Sequence, residues 1–192
     1  MDIKKIIEES IKTKSEILKD NSLLNLISDA AQLCIETFKT DGKVMLCGNG
    51  GSAADAQHIA AELSGRFYRD RDPLYAEALH VNSSYVTAVA NDYSYTEIYS
   101  RMVKAAGRKG DVLIGISTSG NSENVVNAVK AANDLQMKTI AMTGDSGGKL
   151  ASDSDICLKM PSNNTARIQE SHIMVGHILC EIIEQTLFPE SM

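Results

Sequence analysis

Twice in this chain a short run of apolar residues breaks into a turn of glycine and hydroxyl residues, then resumes at helical period. Val44-Met45-Leu46-Cys47 is followed by Gly48-Asn49-Gly50-Gly51-Ser52 and a helix expected over 53–63. Val112-Leu113-Ile114-Gly115-Ile116 is followed by Ser117-Thr118-Ser119-Gly120-Asn121-Ser122 and a helix expected over 123–134. An unbroken apolar run of this length suits a strand covered on both faces, and a helix after each strand suits parallel pairing. The rest of the pattern agrees. Strands are expected over 74–79, 138–142 and 155–158, and helices over 86–89, 98–106, 149–151 and 165–187. Asn91-Asp92-Tyr93 reads as the link between the two middle helices. The expectation is one α/β sandwich with mostly parallel strands.

The first forty residues read as two further helices. Ile3, Ile6, Ile7, Ile11 and Ile17-Leu18 recur near helical period, Asn21-Ser22 interrupts them, and a second stripe runs from Leu23 to Phe38 before Asp41-Gly42. Such helices need a surface to cover, either the main domain or a neighbouring subunit. A formal charge of −6 lacks the basic footprint expected of nonspecific nucleic-acid binding. No apolar run is long enough to cross a bilayer. The start Met1-Asp2-Ile3-Lys4-Lys5 has no signal-peptide core, so cytoplasmic residence is expected. Cys34, Cys47, Cys157 and Cys180 form no close pair and read as small buried hydrophobes.

Both glycine turns have the makings of an anion site. Glycine permits close backbone approach, free N–H groups at a helix start attract negative charge, and hydroxyls add donors without bulk. The second turn, with Ser117, Thr118, Ser119 and Ser122, is the stronger candidate for phosphate. Ser52 in the first is its natural companion, because both turns leave carboxyl ends of strands, where open α/β sheets place ligands. Neither turn is a P-loop or a dinucleotide fingerprint. Each also reads as an ordinary tight turn with capping residues.

Acid–base or metal chemistry has two candidate sources. His58 and Glu62 share one helix face at i, i+4. Both are metal-ligand types, and Glu can also act as a base. The last helix offers Gln169, Glu170, His172 and His177. Ideal geometry puts His172 about 60° from Gln169 and His177 about 80° away on the opposite flank. Periodicity alone does not choose between the two histidines.

Four stretches, in order, resemble the signatures of the phosphoheptose isomerases, a family built on the sugar isomerase (SIS) domain. They are Cys47 through His58 continuing to Glu62, Gly65 and Arg66; then Asn91-Asp92-Tyr93; then Gly110 through Ser122; then Thr165-Ala166-Arg167-Ile168-Gln169-Glu170 followed by His172 and His177. The resemblance implies one SIS domain over 1–192, with a five-stranded parallel sheet flanked by helices and residues 1–40 used in packing and oligomerisation. It implies a homotetramer with active sites at subunit interfaces, acting on a phosphorylated seven-carbon sugar. The implied reaction interconverts D-sedoheptulose 7-phosphate and D-glycero-D-manno-heptose 7-phosphate. That step begins the ADP- or GDP-heptose supply for lipopolysaccharide, capsule or related glycans.

Residue by residue, the resemblance assigns the substrate to Asn49, Gly50, Gly51, Ser52, Glu62, Arg66, Asn91, Asp92, Ser117, Thr118, Ser119, Ser122 and Gln169. Among these, Ser52 and the hydroxyls of the second turn hold phosphate, and Arg66 and Asp92 position the sugar or its phosphate. It assigns one zinc per subunit to His58, Glu62, Gln169 and His177, and acid–base work to Glu62 and His177. It therefore favours His177 over His172. Ala166 stands where some relatives carry an acidic residue, which leaves secondary sugar contacts open. Two alternatives share the resemblance: an isomerase of another phosphosugar, and a non-catalytic SIS protein that binds the replication initiator. Retention of both Glu62 and His177 counts against the second.

Overall fold

The computed structural model describes residues 2–189; Met1 and 190–192, which the single-domain expectation includes, lie outside the described residues. Five strands form one sheet: β1 (Val44–Gly48), β2 (Ala76–Ala78), β3 (Val112–Ile116), β4 (Lys138–Thr143) and β5 (Ile156–Lys159). All neighbours pair in parallel, in the order β2-β1-β3-β4-β5. β1 and β3 are buried along their whole length, which is why both read as unbroken apolar runs.

Two helical layers cover the sheet. On one face lie α1 (Ile3–Lys19), α2 (Asn21–Lys39), α3 (Gly51–Ser64) and α8 (Thr165–Leu187). On the other lie α4 (Ser83–Asp92), a 3₁₀ turn at Tyr95–Glu97, α5 (Ile98–Ala106), α6 (Glu123–Asp134) and the short α7 (Leu150–Asp153). Strand alternation feeds both layers. Val44 and Leu46 join the α2–α3–α8 core, while Met45 and Cys47 join the α5–α6 core.

Caps decide the helix ends. Asp20 closes α1 and opens α2, its carboxylate accepting from the amides of Ser22 and Leu23. Asn82 starts α4 early by accepting from Tyr85 N–H. The middle helix thus spans Ser83–Asp92, and Asn91 and Asp92 form its last turn rather than a link. Gly50 takes φ 55 as the N-cap of α3, so Gly51 and Ser52 already belong to the helix. The second strand is three residues long and lies inside the 74–79 stretch expected to contain one. Among the described residues, no helix is long and apolar enough to cross a membrane.

Most of α1 is exposed, with only Thr13 and Ile17 buried. Arg167 donates to Ile6 O at 2.6 Å, and Ser10 donates to Glu170 at 2.7 Å, fastening it to α8. Its outer stripe of Ile3, Ile7, Ile11 and Leu18 remains more than half exposed.

Candidate active site

The strand order puts a crevice between two particular strands. β1 leads into α3 on one face, while its neighbour β3 leads into α6 on the other. The connections diverge there and leave a gap at the carboxyl ends, the usual ligand position in such sheets. Both glycine and hydroxyl turns sit at this gap. They are stitched together by a reciprocal amide pair: Asn49 Nδ2 donates to Asn124 Oδ1 and Asn124 Nδ2 donates to Asn49 Oδ1, both at 2.8 Å. Tyr95 Oη donates to Asn49 Oδ1 at 3.1 Å, and Tyr99 Oη donates to Gly48 O. Sequence reasoning missed Asn124, Tyr95 and Tyr99. Their roles come from contacts between distant segments, which no local pattern marks.

The second turn is a hydroxyl cluster. Ser117 Oγ lies 2.9 Å from Ser122 Oγ and 3.4 Å from Ser119 Oγ, and the Asn121 amide donates to Ser119 Oγ at 3.2 Å. Ser122 is the N-cap of α6 but makes no side-chain capping bond. Its hydroxyl is turned to its neighbours, so the helix start stays open to an anion. Thr118, Ser119 and Asn121 face Gly144, Asp145, Asn163 and Thr165 across a cavity of about 290 Å³. Ser52 is buried in the first turn of α3.

α3 and α8 run side by side in the same direction, as their contacts show. Gly51 faces Gln169, Ile59 faces Gly176, and Phe67 faces Glu184. A Cβ at Gly51 would come within 2.5 Å of Gln169 Nε2, and one at Gly176 within 2.5 Å of Ile59 Cδ1, so glycine sets the close approach. This approach brings His58 Nε2 to 2.9 Å from His177 Nε2 and 3.3 Å from Glu62 Oε1. Ligand atoms of the three residues all lie within 4.8 Å of one another. The Phe67 ring stands 5.6 Å from that of His177. Two imidazole nitrogens and a carboxylate oxygen at such spacing suit one small cation. Tetrahedral ligands at about 2.0–2.1 Å from zinc would keep about 3.3 Å between them.

The other predicted residues lie apart from this trio. Gln169 rests on Gly51, seven residues and about 10 Å of helix rise before His58, at the phosphate-turn end of the groove. Arg66 is exposed just past the end of α3. Asn91 Nδ2 donates to Asp92 Oδ1 at 2.9 Å, and both are exposed on the helix covering the opposite face. His172 is fully buried, with Nε2 3.1 Å from Thr143 O. A carbonyl only accepts, so Nε2 carries the proton, and the buried Nδ1 has no hydrogen-bond partner. Burial, opposed by that carbonyl, lowers the His172 pKa to about 4 and keeps the ring neutral. Asp55, one turn before His58, was not singled out by sequence. Burial pushes its carboxyl up to about 6, against the pull of His58.

Known proteins resemble this chain in sequence and fold. The SIS domain family model matches residues 7–144. A phosphoheptose isomerase of Clostridium acetobutylicum is 50% identical over 186 residues, covering 97% of this chain and 95% of the relative. The solved phosphoheptose isomerase of Neisseria gonorrhoeae superposes with a TM-score of 0.89 at 47% identity, covering 95% of this chain and 97% of that one. The structure from Francisella tularensis gives 0.91 at 43% identity, over 95% and 96% of the two chains. With this similarity spanning nearly the whole chain, and the crevice and His–Glu–His cluster in place, the chain belongs to the phosphoheptose isomerases of the SIS domain family.

Proposed function

We propose that the chain interconverts D-sedoheptulose 7-phosphate and D-glycero-D-manno-heptose 7-phosphate through an enediol, with Glu62 and His177 as its acid–base pair. The observation that carries the reading is the convergence of His58, Glu62 and His177 in the groove between α3 and α8, whose other end, at Gly51 and Gln169, adjoins the first glycine turn. The phosphate is a remote handle held by Ser117, Thr118, Ser119, Ser122 and Ser52. Binding energy spent there holds the reacting carbons in register. The backbone of Asn49, Gly50 and Gly51 borders the same gap.

The chemistry needs one base at carbon and one proton carrier at oxygen. Glu62 removes a proton from C1 of the open-chain ketose. The C1–C2 double bond forms, and the C2 carbonyl oxygen takes a proton from His177. The O1 proton then passes to His177 as C1 becomes the aldehyde, and Glu62 returns its proton to C2. Reversal of each transfer gives the ketose. His58, Glu62 and His177 would hold one zinc per subunit; Gln169, which the family pattern adds as a ligand, packs on Gly51 at the other end of the groove and does not join them within this chain. Bound by those three residues, zinc would supply Lewis-acid stabilisation of negative charge on the adjacent sugar oxygens; because a ligated imidazole nitrogen carries no proton and a ligated carboxylate is a poorer base, either Glu62 and His177 leave the metal when substrate enters or the ion only orients and stabilises the site.

Arg66 and Asp92 are exposed on different faces and, in this reading, complete a neighbouring subunit's site. The exposed α1 stripe of Ile3, Ile7, Ile11 and Leu18 supports a homotetramer in which residues 1–40 provide contact surface. The setting proposed is the bacterial cytoplasm, with no nucleic-acid or membrane partner.

The test is conversion of sedoheptulose 7-phosphate by purified protein, with zinc present and after chelation, beside Glu62→Gln and His177→Gln. Aldoheptose 7-phosphate should form, chelation should abolish it and zinc restore it, and both variants should fail. No conversion by folded protein under either metal condition would refute the assignment.

A further inference from the structure

Glu184 and Arg71 form a buried, multiply hydrogen-bonded ion pair, yet neither belongs to the acid–base or phosphate machinery. Their side chains are 2% and 3% exposed, and Arg71 Nε donates to Glu184 Oε1 at 3.2 Å. Glu184 also accepts from three consecutive backbone amides, Phe67 at 3.1 Å, Tyr68 at 2.8 Å and Arg69 at 3.1 Å. Arg71 meanwhile caps the carboxyl end of α3. Nη2 donates to Glu62 O at 3.0 Å, and Nη1 donates to Leu63 O at 2.8 Å and Gly65 O at 3.3 Å. These are the carbonyls a helix leaves without partners, at the end where a cation is favoured.

A buried ion pair is a poor way to gain stability alone, since desolvation of both charges offsets much of their attraction. Apart from an Arg71 Nη1 donation to Asp72 O at 3.0 Å, the hydrogen bonds of the pair go to the last turn of α3 and the turn leaving it. That turn carries Phe67 and Arg66. Phe67 places its ring 5.6 Å from the His177 imidazole, and Arg66 projects into solvent from the residue before the anchored amides. We propose that Glu184, with Arg71, is a positioning residue for the isomerisation: the clamp sets the α3 exit turn so that Phe67 walls His177 in its own subunit and Arg66 is presented to the phosphosugar of the neighbouring one. The inference rests on the isomerase reading above.

A misplacement of about 1 Å in such a turn can cost up to a hundredfold. Glu184→Gln keeps the volume but removes the charge and one acceptor oxygen. It should therefore lower kcat/KM for sedoheptulose 7-phosphate by about ten- to a hundredfold while circular dichroism and subunit assembly stay as in the parent. The decisive readout is a double-mutant cycle. In an Arg66→Ala/Phe67→Ala background, adding Glu184→Gln should change kcat/KM by less than about twofold, because the groups it positions are gone. Full additivity, or parental kcat and KM in folded Glu184→Gln, would overturn the proposal. If Glu184→Gln does not fold, Arg71→Lys takes its place in the same cycle. It keeps the charge but cannot span the carbonyls, and the same two outcomes decide. The parent protein and Glu62→Gln run alongside. An inactive parent refutes the isomerase reading, whereas an active parent with an additive cycle refutes only the clamp.

Discussion

The two flanks of α8 use histidine in opposite ways. On one, His172 lies wholly inside the protein, its single proton given to the carbonyl that ends β4. On the other, His177 is half buried and meets His58 and Glu62 from α3. The first flank joins helix to sheet. The second leaves its ring nitrogen among groups that can bind a cation or exchange a proton. Residue type and helical spacing are nearly the same for both, so the difference comes from what each flank lands on. A histidine against a strand end is tied up by backbone, while one against a parallel helix faces other side chains.

The comparison can be broken most sharply in catalysis. His177→Gln and Glu62→Gln should each lower kcat by about 10²–10⁴-fold, the range for a positioned acid or base, with the fold retained. His172→Gln should leave kcat within about tenfold, well above that loss. Equal losses from His172 and His177 variants in a steady-state assay would erase the distinction.

Stability should separate the flanks next. His172 binds its proton with a pKa near 4 when folded, against 6.5 when unfolded. The unfolded chain therefore takes up a proton first as the pH drops. Its contribution is intact above about pH 6.5 and is lost progressively towards pH 4, amounting to about 3 kcal/mol. Denaturant titrations should show this slope in the parent and a flatter profile in His172→Gln. An unchanged profile would mean the buried ring is not the source.

The hydroxyl turn should give a smaller effect. Ser117→Ala and Ser122→Ala each remove a donor meant for a charged phosphate, worth about 1.5–3 kcal/mol. KM for the phosphosugar should rise by about tenfold or more, and inorganic phosphate should inhibit more weakly. A change in kcat alone would move the phosphate elsewhere.

Much of this site was legible in sequence because its chemistry sits at regular spacings and at strand ends. The i, i+4 pair His58–Glu62 needs only a helix, and the two turns need only a strand before them. The α/β sandwich followed from buried runs such as Val112–Ile116, and the five-stranded parallel sheet agrees with the family resemblance. What stayed hidden depends on contacts between distant segments. Asn124 matters because it faces Asn49 across the switch point. Glu184 matters because the turn after α3 folds back onto α8. Asn91 and Asp92 read as a link because two polar residues break the apolar pattern, whereas α4 runs on to Tyr93, whose N–H donates to Val89 O. Neither period nor propensity marks such pairings.

The most direct measurement of the central claim is isomerisation in deuterium oxide, followed by NMR of both heptose phosphates. An enediol made by a carboxylate base predicts solvent deuterium at C2 of the aldose and at C1 of the remaining ketose, with exchange and conversion lost together in Glu62→Gln. Unlabelled product, formed at an undiminished rate by Glu62→Gln, would contradict the account.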